Sequence, residues 1–302
     1  MPGFPGPPPK TLEYNVQTLR KHPFLALGLA GSLIFGAAAC GSDDDSGSDS
    51  SKKTTTTVEP TEAGGDTPEL DALAGKRIGV QSGTTGEKFA NDNAPDDAEI
   101  VAFPDADGLF GAIASGDIDA ILQDLPVNAY RASSDDSVSV VETYATEEEY
   151  GFAVEKGSDL KAELDDALAA VKDDGTYDLI YEKYFPLDGA EAGPGPEASD
   201  VDGSKTVKVC SDIPYEPFEF EGEGPRGLPY TGFDIDVLDA MAAEMDTNLE
   251  ILDVEFDGIE GNLSSGNCEI IASAFSITPA RAEQVDFTDG YFDADQSLLV
   301  KS

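Results

Sequence analysis

The sequence is poor in positive charge and in histidine. It carries 18 Lys and Arg against 61 Asp and Glu, a formal net charge of −43, and a single histidine, His22, in its 302 residues. This balance argues against nucleic acid as a partner, because phosphates require a basic protein surface. Since His22 lies in the signal-like N-terminus described next, an acid–base catalyst would have to be a carboxylate, a tyrosine or a lysine. The sequence therefore favours a binding protein over an enzyme, and its excess acid is typical of a solvated surface.

Long hydrophobic runs are also scarce. The apolar run 24–39 has about 16 residues, and a membrane-spanning helix needs ~20. It follows the basic pair Arg20-Lys21 and ends in small residues before Cys40, as in a secretory signal peptide. The pattern resembles a lipoprotein signal, in which Cys40 becomes the lipidated first residue. We expect 1–40 to be a lipoprotein signal peptide and the protein to be extracytoplasmic and anchored to the cell membrane. An ordinary signal with a chance cysteine is the alternative.

Only three cysteines are present. With Cys40 set aside, Cys210 and Cys268 are left as a possible pair in an oxidising compartment. Cys210 ends one predicted strand and Cys268 begins another. If those strands are parallel and in register, the two residues lie several positions apart along the sheet, beyond the ~4.4–6.8 Å Cα separation that a disulfide needs. The sequence leaves this disulfide open.

Two further stretches are poor in apolar residues and separate the ordered parts of the chain. Residues 41–69 are rich in Ser, Asp, Thr and Gly, and 187–204 are rich in Gly, Ala and Pro. Neither can bury enough surface to fold, so we expect a disordered tether and a linker. The ordered blocks that remain are about 69–186 and 205–302.

Both ordered blocks alternate strands and helices. This alternation predicts an α/β fold with mainly parallel sheets flanked by helices. The predicted strands are 76–81, 99–103, 118–122, 150–155, 206–210, 249–254 and 269–274. The predicted helices are 87–93, 106–115, 160–172, 233–245 and 259–264. Ligands of such folds bind beyond the carboxyl ends of the strands, where the residues discussed next are found.

Two strand ends carry features of an anion site. After the strand 269–274, Ser276 precedes a helix start at Thr278 and Pro279, where free N–H groups and the helix dipole favour an anion. Arg281 follows and can pair with a carboxylate in a bidentate manner. Gly83, Thr84 and Thr85 form a similar strand–turn–helix junction in the first block. Each segment alone is also consistent with a capped helix, with Arg281 on the surface.

Other strand ends offer a carboxylate and aromatic side chains. Asp124 follows the strand 118–122 and could take an ammonium group, although an exposed loop aspartate is the alternative. Asp212 and Tyr215 lie in a proline-framed segment after the strand 206–210, and Phe256 follows the strand 249–254. These aromatic residues could form a wall for an apolar part of a ligand, or they could pack in the core.

Several longer motifs connect these residues. They are Leu-Ala-Gly-Lys-Arg-Ile-Gly-Val-Gln-Ser-Gly-Thr-Thr at 73–85, Asp-Ala-Ile-Leu-Gln-Asp at 119–124, Asp-Gly-Thr-Tyr-Asp at 174–178, Cys-Ser-Asp-Ile-Pro-Tyr-Glu-Pro-Phe-Glu-Phe at 210–220, Gly-Phe-Asp-Ile-Asp at 232–236, Ala-Phe-Ser-Ile-Thr-Pro-Ala-Arg at 274–281 and Val-Asp-Phe-Thr-Asp-Gly-Tyr-Phe at 285–292. Together they resemble the polar-amino-acid-binding proteins of extracellular solute-binding family 3. The resemblance implies a two-lobed periplasmic-binding-protein type II fold with the ligand between the lobes.

The resemblance also implies a role for each matched residue. Arg281 would hold the ligand α-carboxylate, with help from the Ser276 backbone and from the Gly83-Thr84-Thr85 turn. The Ser276 hydroxyl, the Ala274 carbonyl and Asp124 would take the α-ammonium group. The ligand side chain would lie between two aromatic residues and point to an aspartate; these are Tyr215, Phe256 and Asp212. Gly86 stands where some receptors for basic amino acids carry a larger polar residue.

The two halves of this resemblance stand in reversed order, because the Gly-Thr-Thr half comes first in the chain. The sequence therefore reads as a circular permutation. Lobe 2 would be 72–150, and lobe 1 would comprise a hinge strand and helices at 151–186 together with 205–302. The linker 187–204 would join the former ends. The hinge strands would be 151–155 and 296–301, and the cut at Ser302 would remove one of two covalent crossings between the lobes.

The function implied is that of a monomeric, lipid-anchored receptor that delivers a free amino acid to an ABC importer permease. No catalytic residue, cofactor or metal site is expected. A ligand-sensing domain for a signalling partner, an enzyme similar to cyclohexadienyl dehydratase on the same fold, and a rearranged gene fragment are the alternatives.

Overall fold

The computed structural model describes residues 70–186 and 190–302. The predicted signal peptide 1–40 with its lipidation site Cys40, the tether 41–69 and residues 187–189 of the linker lie outside the described residues. In the described part of the chain, no helix combines the length and the apolar character that crossing a bilayer requires.

The α/β class predicted from the sequence is confirmed. The strands are β1 Arg77–Gln81, β2 Glu99–Phe103, β3 Ala120–Asp124, β4 Val138–Tyr150, β5 Ala153–Glu155, β6 Lys205–Ser211, β7 Phe220–Glu221, β8 Tyr230–Thr231, β9 Thr247–Asp253, β10 Ile270–Ile271, β11 Val285–Phe287 and β12 Phe292–Lys301. The helices are α1 Thr85–Asn93, α2 Ala106–Ser115, α3 Leu125–Ser134, α4 Leu160–Asp173, α5 Thr176–Tyr184, α6 Phe233–Glu244, α7 Glu260–Ser265 and α8 Pro279–Ala282.

Ten of these twelve strands form two five-stranded sheets, each the centre of one lobe, and β7 and β8 form a separate antiparallel pair. In lobe 2 the order is β2-β1-β3-β12-β4, with β1 parallel to β2 and β3, and with β12 antiparallel to β3 and β4. In lobe 1 the order is β11-β5-β10-β6-β9, with β6 parallel to β9 and β10, and with β5 antiparallel to β10 and β11. Each sheet is therefore mixed, and not mainly parallel as the sequence predicted, because two of its four strand pairs are antiparallel.

Within residues 70–186 and 190–302, the chain crosses between the lobes twice. The first crossing runs from β4, which ends at Tyr150 in lobe 2, to β5, which begins at Ala153 in lobe 1. The second runs from β11, which ends at Phe287 in lobe 1, to β12, which begins at Phe292 in lobe 2. Backbone hydrogen bonds support the first crossing, since the amide of Gly151 donates to Phe275 (3.1 Å).

The last strand differs from the sequence-based assignment. The sequence placed all of 205–302 in lobe 1 and expected the cut at Ser302 to remove a crossing. The strand β12 instead lies inside the lobe 2 sheet, where Leu298 and Leu299 are fully buried and pack into separate hydrophobic clusters. It pairs with β3 on one side and with β4 on the other, so it is an interior strand of that sheet. Both crossings are therefore covalent, and β12 ends in the sheet that contains β1.

Cys210 and Cys268 form a disulfide with a Cα–Cα distance of 5.8 Å. The sequence argument treated Cys268 as part of a strand in register with β6. In the structure β10 is only Ile270–Ile271, and its Ile271 pairs with Cys210. Cys268 lies in the turn after α7, so strand register does not set its distance from Cys210.

Helix boundaries follow local sequence signals. Asp105 caps α2 by accepting a hydrogen bond from the amide of Gly108 (2.6 Å), and the buried Leu109 and Ile113 face the core. Gly116 ends this helix in the left-handed region at φ +85°, which glycine adopts without strain. In α6 the first turn brings Phe233 into an aromatic cluster with Phe218 and Phe292, which joins the helix to the loops near the cleft.

Candidate functional site

A small cavity lies between the two lobes. Lobe 2 contributes residues from the carboxyl ends of β1 and β3 and from the start of α1, and lobe 1 contributes loops that follow β6, β9 and β10. The lining residues are Gln81, Thr84, Thr85, Asp124, Tyr215, Phe256, Ser273, Ala274, Ser276 and Arg281. All the predicted site residues except Asp212 and Gly83 line it, and those two lie directly behind the wall.

Arg281 places a buried positive charge at one end of the cavity. The hydroxyl of Thr278 caps the short helix α8 by accepting from the amide of Arg281 (3.2 Å). The guanidinium donates to the carbonyl of Ser276 (3.0 Å) and, across the cleft, to the carbonyl of Gly83 (3.1 Å). It also lies 4.1 Å from the ring centroid of Phe275. Burial lowers the pKa of Arg281, while nearby carboxylates oppose that change.

The turn before α1 brings backbone groups of lobe 2 to the same end. Thr84 is the N-cap of α1: its hydroxyl accepts from the amide of Glu87 (3.0 Å) and donates to the carbonyl of Gln81 (2.8 Å). Gly83 adopts φ +78°, and a Cβ there would lie 3.1 Å from the Cα of Asp257 in lobe 1. A glycine is therefore required both for the turn and for the close approach of the lobes.

Asp124 places a buried carboxylate in the wall of the same cavity. Its Oδ2 accepts hydrogen bonds from the hydroxyls of Tyr150 (2.6 Å) and Tyr215 (2.8 Å), and its Oδ1 accepts one from the amide of Gln296. Burial raises the pKa of Asp124 to about 6, and the neighbouring charge of Glu148 adds to the effect. The bond from Tyr215 crosses between the lobes, so this carboxylate also helps to hold them together.

Asp212 lies behind the part of the wall formed by Gln81 and Ser273. Its Oδ2 accepts a hydrogen bond from the side-chain amide of Gln81 (2.5 Å), and its backbone amide donates to the hydroxyl of Ser273 (3.0 Å). Burial raises the pKa of Asp212 to about 7, with Asp253 among the acidic neighbours that add to the effect. This carboxylate is buried beside a neutral amide.

The sequence reasoning missed several residues that hold the site together. Gln81 ends a strand that was predicted, so the strand-end rule applied to Asp124 could have found it. Glu148 belongs to β4, which was not predicted, so no signal indicated it. Gln296 begins the predicted hinge strand 296–301, but nothing in the sequence placed that strand beside Asp124. Gln296 contacts Asp124, Glu148 (3.0 Å) and Thr85 (3.4 Å) at once.

Gln296 also explains why position 86 is glycine. A Cβ on Gly86 would lie 2.9 Å from Oε1 of Gln296 and 3.3 Å from the carbonyl of Leu122. We expect Gly86→Ala to displace the Gln296 amide and to destabilise the fold by about 1–3 kcal/mol, as overpacking does. The matched control is Gly111→Ala, because a Cβ there meets nothing within 4 Å and alanine favours a helix by about 0.5–1 kcal/mol. Thermal denaturation should separate the two variants; equal melting temperatures would contradict this account.

Two lobes joined by two strand crossings, closed over a cavity with a buried guanidinium and buried carboxylates, define a two-lobed solute-binding protein. The chain belongs to the bacterial extracellular solute-binding proteins, family 3, whose profile matches 87–187 and 207–302. The type II periplasmic-binding-protein fold expected from the sequence motifs is therefore confirmed.

Named relatives match part of the chain. It is 33% identical over 132 residues to the histidine-binding periplasmic protein of Escherichia coli (strain K12), covering 40% of this chain and 50% of that protein. It is 35% identical over 130 residues to the putative ABC transporter arginine-binding protein 2 of the same strain, covering 40% and 52%. The chain spans about half the length of these curated relatives.

Solved structures are similar as well. An arginine-bound mutant of ArgBP from T. maritima matches with a TM-score of 0.41 and 15% identity, covering 75% of this chain and 87% of that one. The ancestral amino acid-binding protein AncCDT-1, a precursor of cyclohexadienyl dehydratase, is 40% identical over 29% of this chain and 37% of that one, with a TM-score of 0.26.

Proposed function

We propose that the protein binds an amino acid with a positively charged side chain in the cleft between its lobes. The observation that carries this proposal is the charge around the cavity. Arg281 and Asp124 both line the cavity, and Asp212 is a further buried carboxylate whose side chain accepts a hydrogen bond from the neutral amide of Gln81. The relatives named as histidine- and arginine-binding proteins support the same ligand class.

Each charge has a counterpart in such a ligand. Arg281, with backbone N–H groups at the start of α1 and at Ser276, would hold the α-carboxylate, because a guanidinium pairs with a carboxylate in a bidentate manner. Asp124, the Ser276 hydroxyl and the Ala274 carbonyl would take the α-ammonium group. These pairs leave Asp212 without a partner of opposite charge. Leaving a carboxylate desolvated in this way is costly, and a cationic side chain between Tyr215 and Phe256 would remove that cost.

We also propose that binding is coupled to closure of the lobes and that the closed form delivers the ligand to an ABC importer. The two crossings, 150–153 and 287–292, would act as the hinge. A ligand that contacts both lobes shifts the population toward the closed state, because it gains contacts only there. Anchoring through a lipidated Cys40 would keep the receptor at the membrane beside its permease.

The circular permutation belongs to the same proposal. The segment with Gly83-Thr84-Thr85 precedes the segment with Ser276 and Arg281, yet both line one cavity. The linker that ends near Ser204 leads from α5 into β6, which would correspond to a junction of former termini. Chain ends at the surface and close in space make such rearrangement tolerable.

A ligand panel tests the proposed ligand class. We expect L-arginine, L-lysine or L-histidine at 100 times its dissociation constant to stabilise the protein by about 2.7 kcal/mol, which raises the melting temperature by roughly 5–10 °C. Thermal-shift measurements with all proteinogenic amino acids are the check. Asp212→Asn is the matched variant, since it keeps the volume and removes the charge; its preference for basic ligands should fall. Stabilisation by acidic or neutral amino acids alone would refute the proposed class.

A further inference from the structure

Glu148 lies just behind the cavity wall, two residues before the crossing at Tyr150. Its Oε2 accepts hydrogen bonds from the hydroxyls of Thr85 (2.6 Å) in lobe 2 and Ser276 (2.9 Å) in lobe 1. Its Oε1 accepts from the amide of Gln296 (3.0 Å) and from the hydroxyl of Thr146 (3.0 Å). Glu148 therefore draws together two hydroxyl groups that line the cavity from opposite lobes.

These hydrogen bonds determine the direction in which each hydroxyl group donates its proton. A serine or threonine hydroxyl has one proton to donate, and a carboxylate can only accept. The protons of Thr85 and Ser276 point to Glu148, and the proton of Thr84 points to the carbonyl of Gln81. All three oxygens can then present only lone pairs to the cavity. The carboxylate of Asp124, another lining residue, also only accepts, so these side chains offer hydrogen-bond acceptors to a ligand in the cavity.

We propose that Glu148 is a positioning residue that makes the cleft selective for a protonated amine. The inference rests on the proposed function, since it assigns a role in choosing the amino group of the ligand. An ammonium group has three donors and no acceptor, and so it matches a wall of lone pairs. A hydroxyl in place of the ammonium group donates only one hydrogen bond. Its own lone pairs then face the acceptor oxygens of the cavity, which is unfavourable. The negative charge of Glu148 adds attraction for the cation from behind Thr85 and Ser276.

Paired ligands that differ only at this group test the proposal. The probes are L-arginine and its α-hydroxy acid analogue, in which a hydroxyl replaces the α-amine, each titrated into the full chain by calorimetry. We expect the wild type to bind L-arginine at least about 100-fold more tightly, because a site built around a hydrogen-bonding group rejects analogues that cannot match it. In Glu148→Gln this ratio should fall at least about tenfold. The introduced amide nitrogen donates, so the hydroxyl groups can no longer both direct their protons to residue 148.

A neighbouring carboxylate provides the control. Glu149→Gln removes the same charge from an exposed side chain one residue along β4, and the ratio should stay at the wild-type value. An unchanged ratio in Glu148→Gln, with both ligands weakened equally, would overturn the inference and leave the proposed function standing. If Glu148→Gln does not fold, Thr85→Val removes one of the two hydroxyls and must lower the ratio. If the wild type binds neither probe nor any other amino acid, the proposed function fails and the inference fails with it.

Discussion

Arg281→Ala is expected to weaken ligand binding by at least about 100-fold, which corresponds to roughly 2.7 kcal/mol. Arg281 is 8% exposed and is the cation that lines the cavity. Its loss would leave the ligand carboxylate desolvated between the lobes without a charged partner. The variant also loses the interlobe bond to the carbonyl of Gly83, so ligand-induced closure should weaken as well. Calorimetric titration with the tightest amino acid of the panel measures the change.

Two comparisons make this result specific. Arg281→Lys keeps the charge but not the planar fork, and we expect an affinity between those of the wild type and Arg281→Ala. Arg131→Ala removes an arginine of α3 that pairs with Asp135 (3.1 Å) outside the cavity, so its affinity should match the wild type. If Arg281→Ala binds within about threefold of the wild type, the carboxylate is held elsewhere and the proposed orientation of the ligand is wrong.

The sequence was sufficient to predict the parts of the site that depend on local signals. Thr278 and Pro279 carry the chemistry of a helix start, and the structure has the start of α8 there. Asp124 and Gly83 follow strands whose apolar residues make them recognisable, and parallel strands bring their carboxyl ends to one edge. The resemblance of the motifs to the family predicted that the segments at Gly83 and at Thr278 lie on the two sides of one cleft. Composition and periodicity alone do not predict this.

The remaining features depend on tertiary contacts. The segment 292–301 alternates weakly, and only its burial between β3 and β4 identifies it as an interior strand of lobe 2. Glu148 resembles its acidic neighbours Glu147 and Glu149 in the sequence, and it becomes distinct only because Thr85 and Ser276 reach it from two lobes. The cysteine pair was left open because the sequence does not show that β10 is too short to include Cys268.

The retained crossings also bear on how the proposed permutation affects closure. If a crossing had been cut, hydrogen bonds alone would have to guide one side of the hinge. With covalent connections at 150–153 and 287–292, a relative rotation of the lobes is restricted to an axis near both segments. The proposed permutation and the proposed hinged closure are therefore compatible with each other, since β1 and β12 belong to one sheet.

A steep pH dependence of affinity is the second large effect that we expect. Burial raises the pKa of Asp124 to about 6 and that of Asp212 to about 7 in the ligand-free protein. Both must be ionised to pair with the ammonium group and the cationic side chain of the ligand, so binding releases protons below these values. Affinity for L-arginine, whose guanidinium stays charged, should therefore rise on the order of 1000-fold from pH 5 to pH 7.5 and then level off. Calorimetry in buffers of different ionisation enthalpy measures both the affinity and the protons released.

The same raised pKa values have the opposite effect on the stability of the ligand-free protein. Affinity should rise with pH while stability falls, and a general effect of pH would not produce these opposite trends. The folded-state pKa of each carboxyl lies above the unfolded value of 3.8, so the folded protein binds more protons and its stability should fall as pH rises from about 4 to 7. Asp212→Asn should flatten the pH profiles of both affinity and stability near pH 7.

Glu255→Gln, which removes an exposed acidic neighbour of Asp212, should keep the slope of the affinity profile and lower its midpoint slightly. An affinity that is constant from pH 5 to 7.5 would mean that neither carboxylate pairs with the ligand.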